Sequence, residues 1–329
     1  MGEVFDIILL LALPASGKSE TRTFIKSFDE KTRREIFHLG KDAQMDDFPY
    51  VHMMRRIDVE LKNNGGDYVF FHAPDKTFKD PLSWGVLTLL LSDDYESLIE
   101  KKSTRDDSVT GLMKRFDDAR LRLSAEPLFF RDGAALIAKE RLDAVAQALE
   151  QEYRQMHEDR KNDILEDMTG ATLVIEFARG GADGSSMPIP YGYEYNLKLL
   201  SPKILEKAAI LYVWVTPEES RRKNREREDP NDPGSILAHC VPIEVMMKEY
   251  GCDDMEHLIQ KSDRPGFIKV EQAQRTYYIP VQRFDNRQDK TSFVRSRPWK
   301  EEDKKSLYDS LKDNFTQLYE SFKAGRVKA

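Results

Sequence analysis

Apolar residues run almost unbroken from Ile7 to Ala15, and the polar positions that would mark a half-exposed strand are missing from this stretch. Such a run predicts a strand over Val4–Leu11 covered on both faces. The polar stretch Ser19–Ser27 then reads as the first helix. Glu35–Leu39 predicts a short second strand and Tyr68–His72 a third, whereas Leu82–Leu91 and Tyr95–Glu100 read as helical. From Ala135 to Met168 the apolar positions Leu142, Val145, Leu149, Tyr153 and Met156 step by threes and fours. Unbroken at Asn162 and Asp163, that helix would be about 50 Å long, which suggests an arm or lid. Thr172–Phe177 and Ala209–Val215 predict strands. Tyr277–Val281 predicts another, which Pro280 should confine to an edge or a strand end. A final helix carries the stripe Leu307, Leu311, Phe315, Leu318 and Phe322, expected to dock on the core. No repeat of fixed period is visible.

Strands interleaved with helices predict an open, mainly parallel sheet with helices on both faces. Ligands then gather beyond the C-terminal ends of the strands. Composition narrows the classes. A chain of 329 residues suits one large domain or a domain with insertions. Its net charge of −7 argues against a nucleic-acid coat or a polybasic membrane surface, while leaving room for a local basic groove. Cys240 and Cys252 are too few for a disulfide scaffold, so a cytoplasmic location is expected. No apolar run is long enough for a bilayer, and Glu3 and Asp6 do not suit a secretory leader. The six histidines show no zinc-binding spacing.

The chemistry starts where the first strand ends. Ala12-Leu-Pro-Ala-Ser-Gly17-Lys18-Ser19 joins a buried strand to a helix. The backbone from Pro14, Ala15, Ser16 and Gly17 to Lys18, Ser19 and Glu20 is expected to hold the phosphates of ATP or GTP, with N–H groups aimed at the oxygens. Lys18 would reach the β and γ phosphates, and the Ser19 hydroxyl would bind Mg2+. Ala12 stands where the full pattern has glycine, which is tolerable only if that residue needs no positive φ.

Other candidates lie after later strands. Asp46-Asp47-Phe48-Pro49-Tyr50 offers a carboxylate base and an aromatic wall for an acceptor, or else a helix cap. Arg55 and Arg56 follow as partners for an anionic acceptor or as a solvated face. Glu176 at a strand end is the candidate to orient Mg2+, with Arg179 placed to reach a phosphate. Arg221, Arg222 and Arg225 fall within about a turn of one another, as a closing phosphate clamp or as an ordinary charged helix. The segments Arg264–Phe267 and Arg283–Arg287 could line the nucleotide or acceptor pocket.

With these motifs the chain resembles the P-loop kinases, especially the nucleoside kinase, uridine kinase and phosphoribulokinase branch. The likeness covers residues 4–56, 170–181 and 208–229. It implies a three-layer α/β fold with a P-loop NTPase/kinase-type parallel sheet; residues 80–168 have no counterpart in that family and are expected as a large, mainly helical insertion. The core would be residues 1–79 and 169–329, and the insertion 80–168 a lid, an acceptor subdomain or a homodimer surface. It implies that Asp46 inherits the role of catalytic base, with Asp47 its rival, and that the arginines after Val215 supply a lid. The expected activity is Mg2+-dependent transfer of the γ-phosphate of ATP to a hydroxyl of a small metabolite or nucleoside-like acceptor. A kinase acting on a nucleic-acid or protein hydroxyl and a nucleotide-gated switch or assembly ATPase are the alternatives. No membrane partner is expected.

Overall fold

The computed structural model describes residues 4–100, 106–162, 168–227 and 240–326. The apolar run forms β1 (Ile7–Leu11), buried along its whole length. Ile7, Leu9 and Leu11 pack into one core layer, and Ile8 and Leu10 into another. That two-sided burial is the reason the run does not alternate. The other strands are β2 (Lys41–Asp46), β3 (Phe130–Arg131), β4 (Ala134–Ala135), β5 (Ala171–Phe177), β6 (Ala208–Trp214), β7 (Phe267–Gln272) and β8 (Arg275–Asp285). β3 and β4 pair only with each other. The remaining six form a sheet in the order β2-β5-β1-β6-β8-β7, parallel except for β7.

Helices cover both faces, which makes a three-layer α/β architecture. Phe24 of helix Lys18–Lys26, Phe37 of helix Glu30–Phe37, and Leu307, Leu311 and Phe315 of helix Glu301–Arg326 cover one face. Leu91, Leu197, Ile204 and Leu258 cover the other. The stripe on the last helix therefore docks as expected. No helix among the described residues is long and apolar enough to cross a membrane.

Several elements differ from the pattern. Glu35–Leu39 is mostly the end of a helix, capped at its start by Asp29, which accepts the Thr32 N–H. The second strand begins at Lys41, where an edge position exposes polar residues and hides the strand signal. Tyr68–His72 forms no strand; Phe71 makes one isolated bridge, to Phe78. Leu82–Leu91 and Tyr95–Glu100 belong to one helix, Ser83–Glu100. The long helix spans Lys139–Asn162, about 36 Å. It is no free arm, because Leu142, Val145, Leu149 and Tyr153 are buried. Asp163 lies outside the described residues. β8 is an inner strand despite Pro280: its pairing with β6 begins at Val281, so no ladder donor is needed from the proline on that side.

A second apolar core lies beside the sheet. It joins helix Phe48–Asn63 to helices Ser83–Glu100, Val109–Arg122 and Lys139–Asn162, and so begins before residue 80. This cluster is built twice. An offset of 59 residues carries Asp58 onto Asp117, and Val69, Phe70 and Phe71 onto Leu128, Phe129 and Phe130. Asp58 accepts the N–H groups of Val69, Phe70 and Phe71, and Asp117 those of Leu128, Phe129 and Phe130. The two halves interlock: Phe48–Asn63 packs on Lys139–Asn162, and Ser83–Glu100 on Val109–Arg122. Arg56 crosses to Glu152, and Arg115 crosses to Asp94. Phe70 and Phe129 meet at the centre, 5.6 Å apart. The repeat escapes a search by period because only about a turn of helix and one Phe-Phe pair survive in both copies.

Candidate functional site

The C-terminal ends of β1, β2, β5, β6 and β8 open on one edge of the sheet, with β1 between β5 and β6. The chain after β1 turns sharply there. Ala15 has φ 55° and Gly17 has φ 104°, whereas Ala12 is not among the positive-φ residues. The alanine at the first position of the motif therefore costs no backbone strain; the left-handed positions fall later in the turn. A Cβ on Gly17 would overlap Thr291 Oγ1 and Asn286 Nδ2. Asn286 donates to the Ser16 carbonyl at 2.7 Å, and Ser220 donates to the Pro14 carbonyl at 2.6 Å. The turn is thus clamped by the segments after β6 and β8, and internally by Ser16 Oγ donating to Leu13 O.

Helix Lys18–Lys26 follows Gly17 with no side-chain cap, so its first N–H groups face outward without an acceptor side chain. Lys18 Nζ donates to the carbonyls of Ala12 and Leu13 at 3.3 and 3.4 Å. Burial pulls this ammonium down to about 8; Arg227 adds to the fall, while Glu176, Asp47 and Glu20 oppose it. The Ser19 hydroxyl is half-buried and makes no hydrogen bond to the described residues.

Glu176 is buried near the end of β5, in register with Leu10 of β1 and Asp46 of β2. Its carboxylate is held by the Arg22 guanidinium. Asp46 Oδ1 accepts the Phe48 N–H and its Oδ2 accepts the Gln44 amide. Asp47 stands at the N-cap position of the next helix without capping it. Its Oδ2 instead accepts Arg179 Nη1 at 2.6 Å.

Arg179 is 1% exposed and spends all five N–H donors inside the protein. The other acceptors are Asn196 Oδ1, Thr88 Oγ1 and the carbonyls of Ala178 and Trp84. A reach from Arg179 to a phosphate, as its position in the sequence suggests, has no donor left to supply it.

The arginine cluster is on helix Pro217–Glu226, capped by Thr216. Arg221 pairs with Glu218, and Arg222 with Glu219, Glu226 and Asp289. Arg225 is exposed and makes no ion pair among the described residues. Arg227 follows that helix as its C-cap. It grips both oxygens of Glu20 at 2.8 and 2.9 Å, and Arg295 joins at 2.7 Å. The Glu20 carboxylate thus faces two arginines. The segment Arg283–Arg287, expected to line the pocket, contributes Asn286 directly after the last parallel strand. Sequence reasoning did not single out Arg227 and Arg295, which lie far from the motif along the chain. Tyr50, placed in an acceptor wall by the sequence pattern, is buried in the helical cluster, with its hydroxyl on Asp94 at 2.5 Å. Arg55 lies 4.0 Å over the Phe71 ring, and Arg56 pairs with Glu60 and Glu152.

Several donors at and near this edge lack partners. Arg22 Nε, Arg227 Nε and Arg221 Nη1 are buried without a hydrogen-bond partner, although burial normally requires one. With the uncapped helix they are donors that could meet an anion, and the Ser19 hydroxyl and Glu176 carboxylate are oxygens of the kind a divalent cation takes. No protein-family model matches the chain, and comparison with curated proteins finds no match.

Proposed function

We propose that the protein is a Mg2+-dependent phosphotransferase of the P-loop kinase type, moving the γ-phosphate of ATP to a hydroxyl of a small acceptor. The observation that carries this reading is the gathering of Lys18, Glu176 and Asp47 from distant segments at one sheet edge, with each acid acting on the Lys18 ammonium. Bound Mg2+ would neutralise charge on the phosphates. Ser19 and Glu176 would hold it, and Lys18 would leave the Ala12 and Leu13 carbonyls for a phosphate oxygen.

Of the two acids, the geometry favours Asp47 as the base. Arg179 pins its Oδ2, and its Oδ1 has no hydrogen-bond partner among the described residues. One oxygen oriented and the other available is what proton acceptance from a hydroxyl requires. Arg179 would then act by positioning Asp47, and Arg227 would be the lid arginine nearest the phosphates.

The test is a calorimetric titration with Mg·ATP and Mg·GTP on the wild type and Lys18→Ala. Micromolar ATP binding that the variant loses by at least about 100-fold supports the reading, a charged contact to phosphate being worth roughly 3 kcal/mol. Absence of binding to either nucleotide ends it. Screening hydroxyl-bearing metabolites for phosphate transfer, with Asp47→Asn as the control, then separates a kinase from a switch.

A further inference from the structure

The carboxylate assigned to the metal already has a cation on it. Arg22 lies four residues after Lys18 and three after Ser19, so all three side chains share one face of the helix. Its Nη1 pairs with Glu176 Oε1, while its Nε is buried without a partner. Glu176 in turn acts on the Lys18 ammonium. One carboxylate, 7% exposed, thus serves two cations, and a divalent ion on Ser19 and Glu176 would be a third. The guanidinium and the ion cannot both take Oε1, and their like charges repel at short range.

Resting on the phosphotransferase reading above, we propose that Arg22 is a positioning residue that competes with the divalent cation for Glu176. Metal and nucleotide bind as Arg22 swings off the carboxylate. Its free Nε–H and the released Nη1–H then face the phosphates. Without ligand, the pair holds Glu176 beside the helix. Metal affinity is thereby set by a residue that is itself no metal ligand.

The experiment is a Mn2+ titration of the full chain, read by the electron paramagnetic resonance signal of free Mn2+. Wild type, Arg22→Gln, Glu176→Gln and the double variant are compared, with circular dichroism confirming folding. Arg22→Gln should bind Mn2+ about 5-fold tighter than wild type, the upper range for loss of a partly exposed ion pair. Both variants carrying Glu176→Gln should bind weakly and alike. Unchanged or weaker Mn2+ binding by Arg22→Gln overturns the competition, as does a gain that survives in the double variant. If Lys18-dependent ATP binding persists in either case, the phosphate-loop reading stands and only the role of Arg22 falls. If the wild type binds no Mg·ATP, the function itself fails, whatever the Mn2+ result.

Discussion

The helical cluster and the strand-end site both bury charge, but they treat it differently. In and beside the cluster three buried charged groups are fully engaged. Asp58 and Asp117 each take three backbone N–H groups, and Arg179, at the border, fills five acceptors. At the strand ends the groups are only partly engaged: Arg22 and Arg227 keep a buried Nε without a partner, and Lys18 leans on two carbonyls. A saturated network stabilises one structure, whereas buried donors without partners cost stability. Two arginines around β5 mark the contrast. Arg179 rivets Asp47 to the helical cluster, and Arg22 rests on Glu176 with a donor to spare.

Substitutions can break this contrast. Arg179→Ala has the largest expected effect, about 3–5 kcal/mol in guanidinium unfolding, since it strands Asp47 and four neutral acceptors. A loss below about 1 kcal/mol would mean that the network is no rivet. Asp58→Ala and Asp117→Ala each orphan three backbone donors and should cost about 2–4 kcal/mol. If the cluster is a true duplication, the two costs should agree within about 1 kcal/mol in urea denaturation. A marked inequality would show that the copies bear different loads.

Glu249 sharpens the comparison from the acid's side. It is 3% exposed and accepts the Phe78 N–H, with no cation in ion-pair contact among the described residues. Burial pushes it up to about 7, with the Phe78 N–H and Arg55 opposing. A carboxyl raised in the fold keeps its proton after the unfolded chain has lost its own. Stability is therefore full below the ordinary glutamate value near 4.5 and falls as pH rises to about 7. Glu249→Gln removes that slope, so its melting temperature should gain on wild type between pH 4 and 8, by the equivalent of about 1–3 kcal/mol. A constant difference across that range would show that the carboxyl does not titrate as its burial requires. The smallest effect on stability belongs to Arg22→Gln, about 1 kcal/mol or less. Its larger signature is in metal affinity.

The first strand, the turn after it, the last helix and the acid near the end of β5 were legible in the sequence. Each rests on local rules: two-sided burial, left-handed turn residues, a helical stripe, a charge inside an apolar run. β2 was misplaced because an edge strand has few apolar neighbours and its polar sequence resembles a loop. Tyr68–His72 looked like a strand because Val69, Phe70 and Phe71 are core residues, but their N–H groups go to Asp58 rather than to a neighbouring strand.

By itself the sequence determined that the chain forms a helix-covered sheet and that Gly17-Lys18-Ser19 follows its first strand, since both depend on neighbours within a few residues. Only the tertiary structure decided which charges meet. Arg22 and Glu176 are 154 residues apart and Arg179 and Asp47 are 132 apart. Whether an arginine is saturated or has a donor free depends on acceptors brought in by other segments. Pattern along the chain carries burial, and the pairing of charges is a property of the fold.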